Sequence, residues 1–241
     1  MSHLHVLMRS ERWAVVAKPA RVACHRSELV RDGVTVADLA RYRFRTPIHL
    51  VHRLDRAASG CLLIAFDPEM TTVLQSALSD DDAQKSYLAF VRGYFKSDDV
   101  VEVANDVKDS DGIPRDARSW VQFLGRGQEP RCSLLLVKPE TGRYHQVRRH
   151  VRDLNHPVLG DSMHGDTRVN KTWREEHGLN RLGLHCHSLD LPLPGGARLK
   201  VTCPPPEDLA KIWRAQPWWE DAKLRLPDLA LTSLDLDHES E

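Results

Sequence analysis

The sequence predicts an α+β fold, with a central, mostly antiparallel sheet flanked by helices and loops. Two observations predict it. Short apolar runs of strand length alternate with turn signals along the whole chain, and helical periodicity returns only briefly between them. The composition agrees: 241 residues, 41% hydrophobic and 28% charged, suit a globular protein of one domain, or of one domain split into two lobes.

Ala14-Val15-Val16-Ala17 reads as a strand stopped by Lys18-Pro19, and Cys61 to Phe66 as a buried strand. Asp67-Pro68-Glu69 then supplies an N-cap, a proline at the first helical position and a first-turn acid. That helix runs to about Leu78, with Val73, Leu74, Ala77 and Leu78 on one face. Tyr87 to Val91 is a strand ending at Arg92-Gly93, in which Tyr87, Ala89 and Val91 share the inward face. Asp98 to Pro130 is polar and poorly periodic, and reads equally as a substrate-facing insertion or a long loop. Ser119 to Leu124 and Ser133 to Val137 have strand character. His145 to Leu154 is helical and is stopped by Asn155-His156-Pro157. Leu182 to Leu191 and Arg198 to Cys203 flank Pro194-Gly195-Gly196 as a hairpin. Pro206-Glu207-Asp208 opens a short helix carrying Leu209, Ile212 and Trp213. The catalytic region is expected to end at residue 219. From Glu220 onward seven acids face only Lys223 and Arg225, so 220–241 reads as an acidic, solvated tail.

Several function classes are excluded. Basic and acidic residues balance at 34 each, so binding to a polyanion must come from a local basic face. Such a face exists at 141–152, where Arg143, Arg148, Arg149 and Arg152 occur with no acid. Five widely spaced cysteines without a C-x-x-C give neither a disulfide framework nor a zinc finger, which fits a reducing cytoplasm. No signal peptide or membrane-length apolar run occurs. Among the 13 histidines, His185 and His187 can share a strand face as two ligands, but no H-E-x-x-H, no H-x-E…C-x-x-C and no acidic partner at a helical offset accompanies them, so no metal is expected. There is no Walker A loop, no G-x-G-x-x-G and no G-x-S-x-G, so neither a nucleotide cofactor nor a serine nucleophile is expected.

Three segments can carry chemistry. In His52-Arg53-Leu54-Asp55-Arg56-Ala57-Ala58-Ser59-Gly60-Cys61, one carboxylate stands between two arginines. Guanidinium groups stabilise its negative charge and can also address a phosphate backbone. In Gln84 to Gly93, Tyr87 is either core or a phenol aimed into a cleft, where it can exchange a proton with substrate. In Lys138 to His150 a strand turns at Thr141-Gly142 into a helix, whose free N–H groups, with Arg143 beside them, can hold an anion. On that helix His145, Arg148 and Arg149 share a face, and Arg148 can reach an Asp on a neighbouring strand.

Together these segments resemble the RluA-type pseudouridine synthases. H-R-L-D-R-A-A-S-G-C-L-L is similar to their catalytic motif, K-S-Y-L-A-F-V-R-G to their tyrosine strand, and T-G-R-Y-H-Q-V-R-R-H to their arginine motif. His156-Pro157-Val158-Leu159-Gly160-Asp161 and Arg181-Leu182-Gly183-Leu184-His185 follow in the expected order. Cys24-His25-Arg26-Ser27, the segment Gly160 to Asp166 and the doubled Arg148-Arg149 are most similar to a branch that acts on tRNA without a separate N-terminal RNA-binding module. Ala58 stands where that family usually has threonine, Cys186 replaces a common alanine, and a familiar His-Pro is absent at Leu191 to Pro194.

The resemblance implies the pseudouridine synthase fold with a cleft between two lobes, and isomerisation of a tRNA uridine (uridine 65, in the acceptor/TΨC arm) without cofactor. It implies a monomer. It assigns Asp55 as the nucleophile, Tyr87 as the group that removes the C5 proton, and Arg148 as the arginine paired with that Asp. Arg53 would fill the place of the flipped-out base, and Arg56, Arg143, His145 and Arg149 would join it in binding RNA. Whether Asp55 attacks C1′, adds to C6 or removes the C2′ proton stays open, as does a ribosomal RNA substrate. A non-catalytic RNA-binding protein on the same fold is the other alternative.

Overall fold

The computed structural model describes residues 4–26, 33–109 and 112–232. Ser27 and the acidic residues beyond 232 lie outside them. The chain order is β1 (His5–Arg9), β2 (Trp13–Lys18), α1 (Val36–Phe44), β3 (His49–Leu50), β4 (Ser59–Ala65), α2 (Pro68–Leu78) and β5 (Gln84–Arg92). Then follow β6 (Val101–Ala104), β7 (Val107–Lys108), β8 (Pro114–Arg115), β9 (Arg118–Gln128), β10 (Arg131–Pro139), α3 (Gln146–Asp153) and α4 (Thr167–His177). The last elements are β11 (Leu184–Pro192), β12 (Arg198–Thr202), α5 (Glu207–Arg214) and α6 (Trp219–Arg225). This is an α+β fold with mostly antiparallel sheet. The described residues divide into two compact units, one formed by those within 4–84 and 186–203, the other by those within 85–185 and 204–232. No helix among the described residues is long and apolar enough to cross a membrane.

In the first unit the strand order is β1-β2-β4-β11-β12, with β3 also on β4. Every residue of β4 is buried, because the strand is covered on both faces and so reads as an unbroken apolar run. Asp67 caps α2 through the Met70 N–H and is gripped by Arg12, which holds its carboxyl down at about 2. Sequence reasoning missed α1. Its signal is the reciprocal cap between Thr35 and Asp38, a T-x-x-D that was readable.

In the second unit the order is β5-β10-β9-β6, with β7 and β8 as a separate hairpin. The polar stretch 98–130 therefore holds ordered strands, and the strand expected over Ser119 to Leu124 runs from Arg118 to Gln128. The core gathers Phe90, Trp173, Trp213, Trp218 and Trp219. Trp173 meets Phe90 edge-on at 5.0 Å between ring centroids. Trp218 lies against Gly125, where a Cβ would come within 2.4 Å of its ring, so only glycine fits there.

The expected acidic tail needs correction. Residues 219–225 form α6, and Ala222 and Leu229 are buried in the same aromatic core. Trp218, Ala222, Leu226 and Leu229 recur at helical spacing, while the described acids Glu220, Asp221 and Asp228 sit exposed, Glu220 and Asp221 on the first turn where the helix dipole favours them.

Candidate active site

Asp55 is half-buried on the loop between β3 and β4, and the backbone of that loop is tied at several points. A turn joins Ala58 N–H to the Asp55 carbonyl at 3.1 Å. The buried ammonium of Lys18 donates to the carbonyls of Pro19, Arg56 and Ala58 at 2.9, 3.2 and 2.7 Å. Leu54, next to Asp55, exchanges hydrogen bonds with the Cys24 thiol: its N–H donates to Sγ at 3.4 Å and its carbonyl accepts at 3.3 Å. Burial pushes the Cys24 thiol up, so it stays protonated and able to donate. Arg56 Nε donates to the Arg21 carbonyl at 3.1 Å. The exit of β2 thus clamps the loop, while the side chains of Arg53 and Arg56 stay exposed. At the far end, Gly60 has φ +117° and passes so close to the backbone of Cys186 that a Cβ would lie 2.1 Å from its carbonyl oxygen. Ala58 is 1% exposed, its carbonyl held by Lys18.

Tyr87 is half-buried on β5, opposite Val137 of β10. The expectation that Tyr87, Ala89 and Val91 mark one inward face is corrected: Leu88 and Phe90 on the other face are equally buried. A strand covered on both sides does not reveal its inward face by alternation.

The segment 141–153 departs furthest from expectation. His145 adopts left-handed backbone, φ 54°, and the helix begins only at Gln146. It therefore does not share a helix face with Arg148 and Arg149. It is buried, stacked on Tyr144 at 3.7 Å between centroids, with Nδ1 3.0 Å from Nε2 of His164. Burial pushes His164 below the usual histidine range, so it serves as the neutral partner in that bond. The turn that leads into the helix is tied by the first helical side chain. Gln146 reaches back, its carbonyl oxygen accepting from Thr141 Oγ at 2.6 Å and Arg143 N–H at 3.0 Å. Its amide donates to the Arg118 carbonyl and to Ser119 Oγ. His150, fully buried and held low by burial, bonds the same Ser119 hydroxyl.

Arg148 is not part of a solvated basic face. It is 5% exposed, and its Nε and Nη2 meet an acid, Asp161, in the segment between α3 and α4. Burial alone would raise the Asp161 carboxyl. The bonds from Arg148 and from the His164 and Met163 N–H groups outweigh that and hold it below the usual range. Arg149 donates to the Lys108 carbonyl and lies over the Tyr144 ring, 5.6 Å from its centroid. Arg143 is exposed, with Nε on the Asp116 carbonyl. Sequence reasoning gave no role to Lys18, Cys24, Gln146 or Asp161, because their partners are backbone groups or distant side chains. Among the described residues no group of three or more His, Cys, Asp or Glu is placed to hold a metal ion.

Comparison with known proteins agrees with the motifs. The RNA pseudouridylate synthase family matches residues 12–153. A tRNA pseudouridine synthase C of Yersinia pestis is 35% identical over 210 residues, covering 79% of this chain and 82% of that protein. One from Haemophilus ducreyi is 32% identical over 209 residues, covering 79% and 86%. Among solved structures, human RNA pseudouridylate synthase domain containing 1 superposes with a TM-score of 0.69 at 25% identity, over 98% of this chain and 94% of that one. The chain belongs to the RNA pseudouridylate synthase family and is an isomerase that converts uridine to pseudouridine.

Proposed function

We propose that the substrate is tRNA, with a uridine of the acceptor/TΨC arm (uridine 65) as the target. The observation that carries this reading is the similarity to tRNA pseudouridine synthase C over 79% of the chain. The reaction breaks the N1–C1′ bond, rotates the base and joins C5 to C1′. C5 loses a proton and N1 gains one, so atoms balance without a cofactor. Asp55 is the nucleophile, carried on a loop whose backbone Lys18 and Cys24 hold still. Arg148 stabilises the charge of that carboxylate, and Tyr87 removes the C5 proton. Arg53, exposed beside Asp55, fills the stack that the flipped base leaves; its guanidinium plane can stack where Lys could not. Arg56, Arg143 and Arg149 contribute to holding the phosphate backbone, and His145 supports this from within, as the buried pivot of the loop.

Release of tritium from 5-tritiated uridine in tRNA tests the reading. Asp55→Asn is expected to abolish release while leaving tRNA affinity unchanged within about twofold, since the carboxylate is not a phosphate ligand. Retained turnover in this variant, or no release by the wild-type chain, refutes the assignment.

A further inference from the structure

We propose that Asp161 is a positioning residue for the isomerisation, fixing Arg148 in its working orientation. The inference rests on the role given to Arg148 above. Asp161 lies in the turn after α3, and its side chain is 0% exposed against 6% for that of Arg148. Nε and Nη2 of Arg148 meet its two oxygens at 2.7 Å each, the fork-on-carboxylate geometry that fixes the plane of a guanidinium. Oδ1 also accepts the N–H groups of Met163 and His164, both at 2.9 Å, so the carboxylate is held by the turn it shapes. Asn170 braces that turn from α4: its Nδ2 donates to the Asp161 carbonyl and its Oδ1 accepts from Gly160 N–H, each at 2.8 Å.

The same turn carries His164, which meets His145 at the entrance to α3. One short segment therefore grips the arginine motif twice, at the left-handed residue where its helix starts and at the guanidinium one turn later. A buried ion pair contributes little net stability, because desolvation offsets its attraction. What a doubly bonded, fully enclosed pair does supply is orientation. A guanidinium keeps its charge in a protein. Without Asp161 the guanidinium loses the two-bonded fork that sets its plane.

The test is a cycle of Asp161→Asn, Arg148→Lys and the double variant, with Asn170→Ala beside it. Turnover and KM are read by tritium release from 5-tritiated tRNA, and folding by circular dichroism. Asp161→Asn is expected to lower kcat about 100-fold, the scale of a misplacement of about 1 Å, with KM nearly unchanged. Arg148→Lys already loses the fork. Adding Asp161→Asn to it should therefore change kcat by less than about twofold, where independent residues would multiply their losses. Asn170→Ala keeps the ion pair but loosens its turn, giving a smaller loss of kcat at unchanged KM, and it decides the matter if Asp161→Asn does not fold. Wild-type kcat in folded Asp161→Asn, multiplied losses in the double variant, or wild-type kcat in Asn170→Ala overturns the inference. A wild-type chain that releases no tritium sinks the proposed function, and this inference with it; an active wild type with an unaffected Asp161→Asn sinks this inference alone.

Discussion

Replacing Lys18 with methionine isolates the clamp on the Asp55 loop. Lys18 is 1% exposed, and its ammonium is the hydrogen-bond donor to three carbonyls, two of them from the loop itself. Methionine keeps much of the stem volume and removes the charge and the donors. The carbonyls of Pro19 and Arg56 are only partly buried, so water replaces the lost donor there. The Ala58 carbonyl is buried, and leaving it unsatisfied costs about 1–3 kcal/mol. Relief from desolvating an ammonium offsets the loss of its attraction to these dipoles. The deficit at Ala58 therefore decides the sign, and Lys18→Met should be destabilised by about 1–3 kcal/mol. For a chain of this size that lowers Tm by about 2–12 °C. The loop backbone beside Asp55 also loses its anchor, and a displacement of about 1 Å would lower kcat about 100-fold. Calorimetry and tritium release measure the two effects. A Lys18→Met variant with wild-type Tm and kcat would refute the argument that this ammonium holds the loop.

Two further outcomes follow from local geometry. Gly60→Ala combines φ +117° with a Cβ 2.1 Å from the Cys186 carbonyl oxygen, so β4 or β11 must move; a loss of about 3 kcal/mol or more is expected, and an unchanged urea midpoint would contradict it. Stability should also fall in two acid steps. Buried His150 and half-buried His164 have folded values below the ordinary 6.5, so the unfolded chain binds protons first and stability declines as pH drops below about 6.5. Asp161, held below the ordinary 3.8, keeps its contribution above that pH and loses it only as pH falls through its lowered value. His150→Gln should flatten the first step in a plot of Tm against pH, and an unaltered curve would rule His150 out as its source.

Much of the site could be read locally. The motif His52 to Cys61, the cap at Asp67-Pro68 and the strand carrying Tyr87 are each written in contiguous residues, and each occurs where it was expected. Periodicity failed where a single backbone angle reset the phase. With His145 left-handed, the helix starts one residue later, His145 drops out of the face it was given, and Gln146 ties the turn before the helix by accepting the Arg143 N–H. Counting charge failed at the C-terminus for another reason. Acids on the outside of α6 hid the apolar series from Trp218 to Leu229 that docks it.

By itself the sequence determined the mostly antiparallel α+β class, the family and the candidate acid, phenol and guanidinium, because these depend on residue type and short spacing. Only the tertiary structure decided what holds them: Lys18 reaching 38 and 40 residues along the chain to Arg56 and Ala58, and Asp161 closing on Arg148 from a turn with no periodicity of its own. Such contacts join a side chain to backbone carbonyls or to a carboxylate in an irregular loop. Neither kind of partner leaves a pattern in the residues around it, so their pairing exists only once the chain has folded.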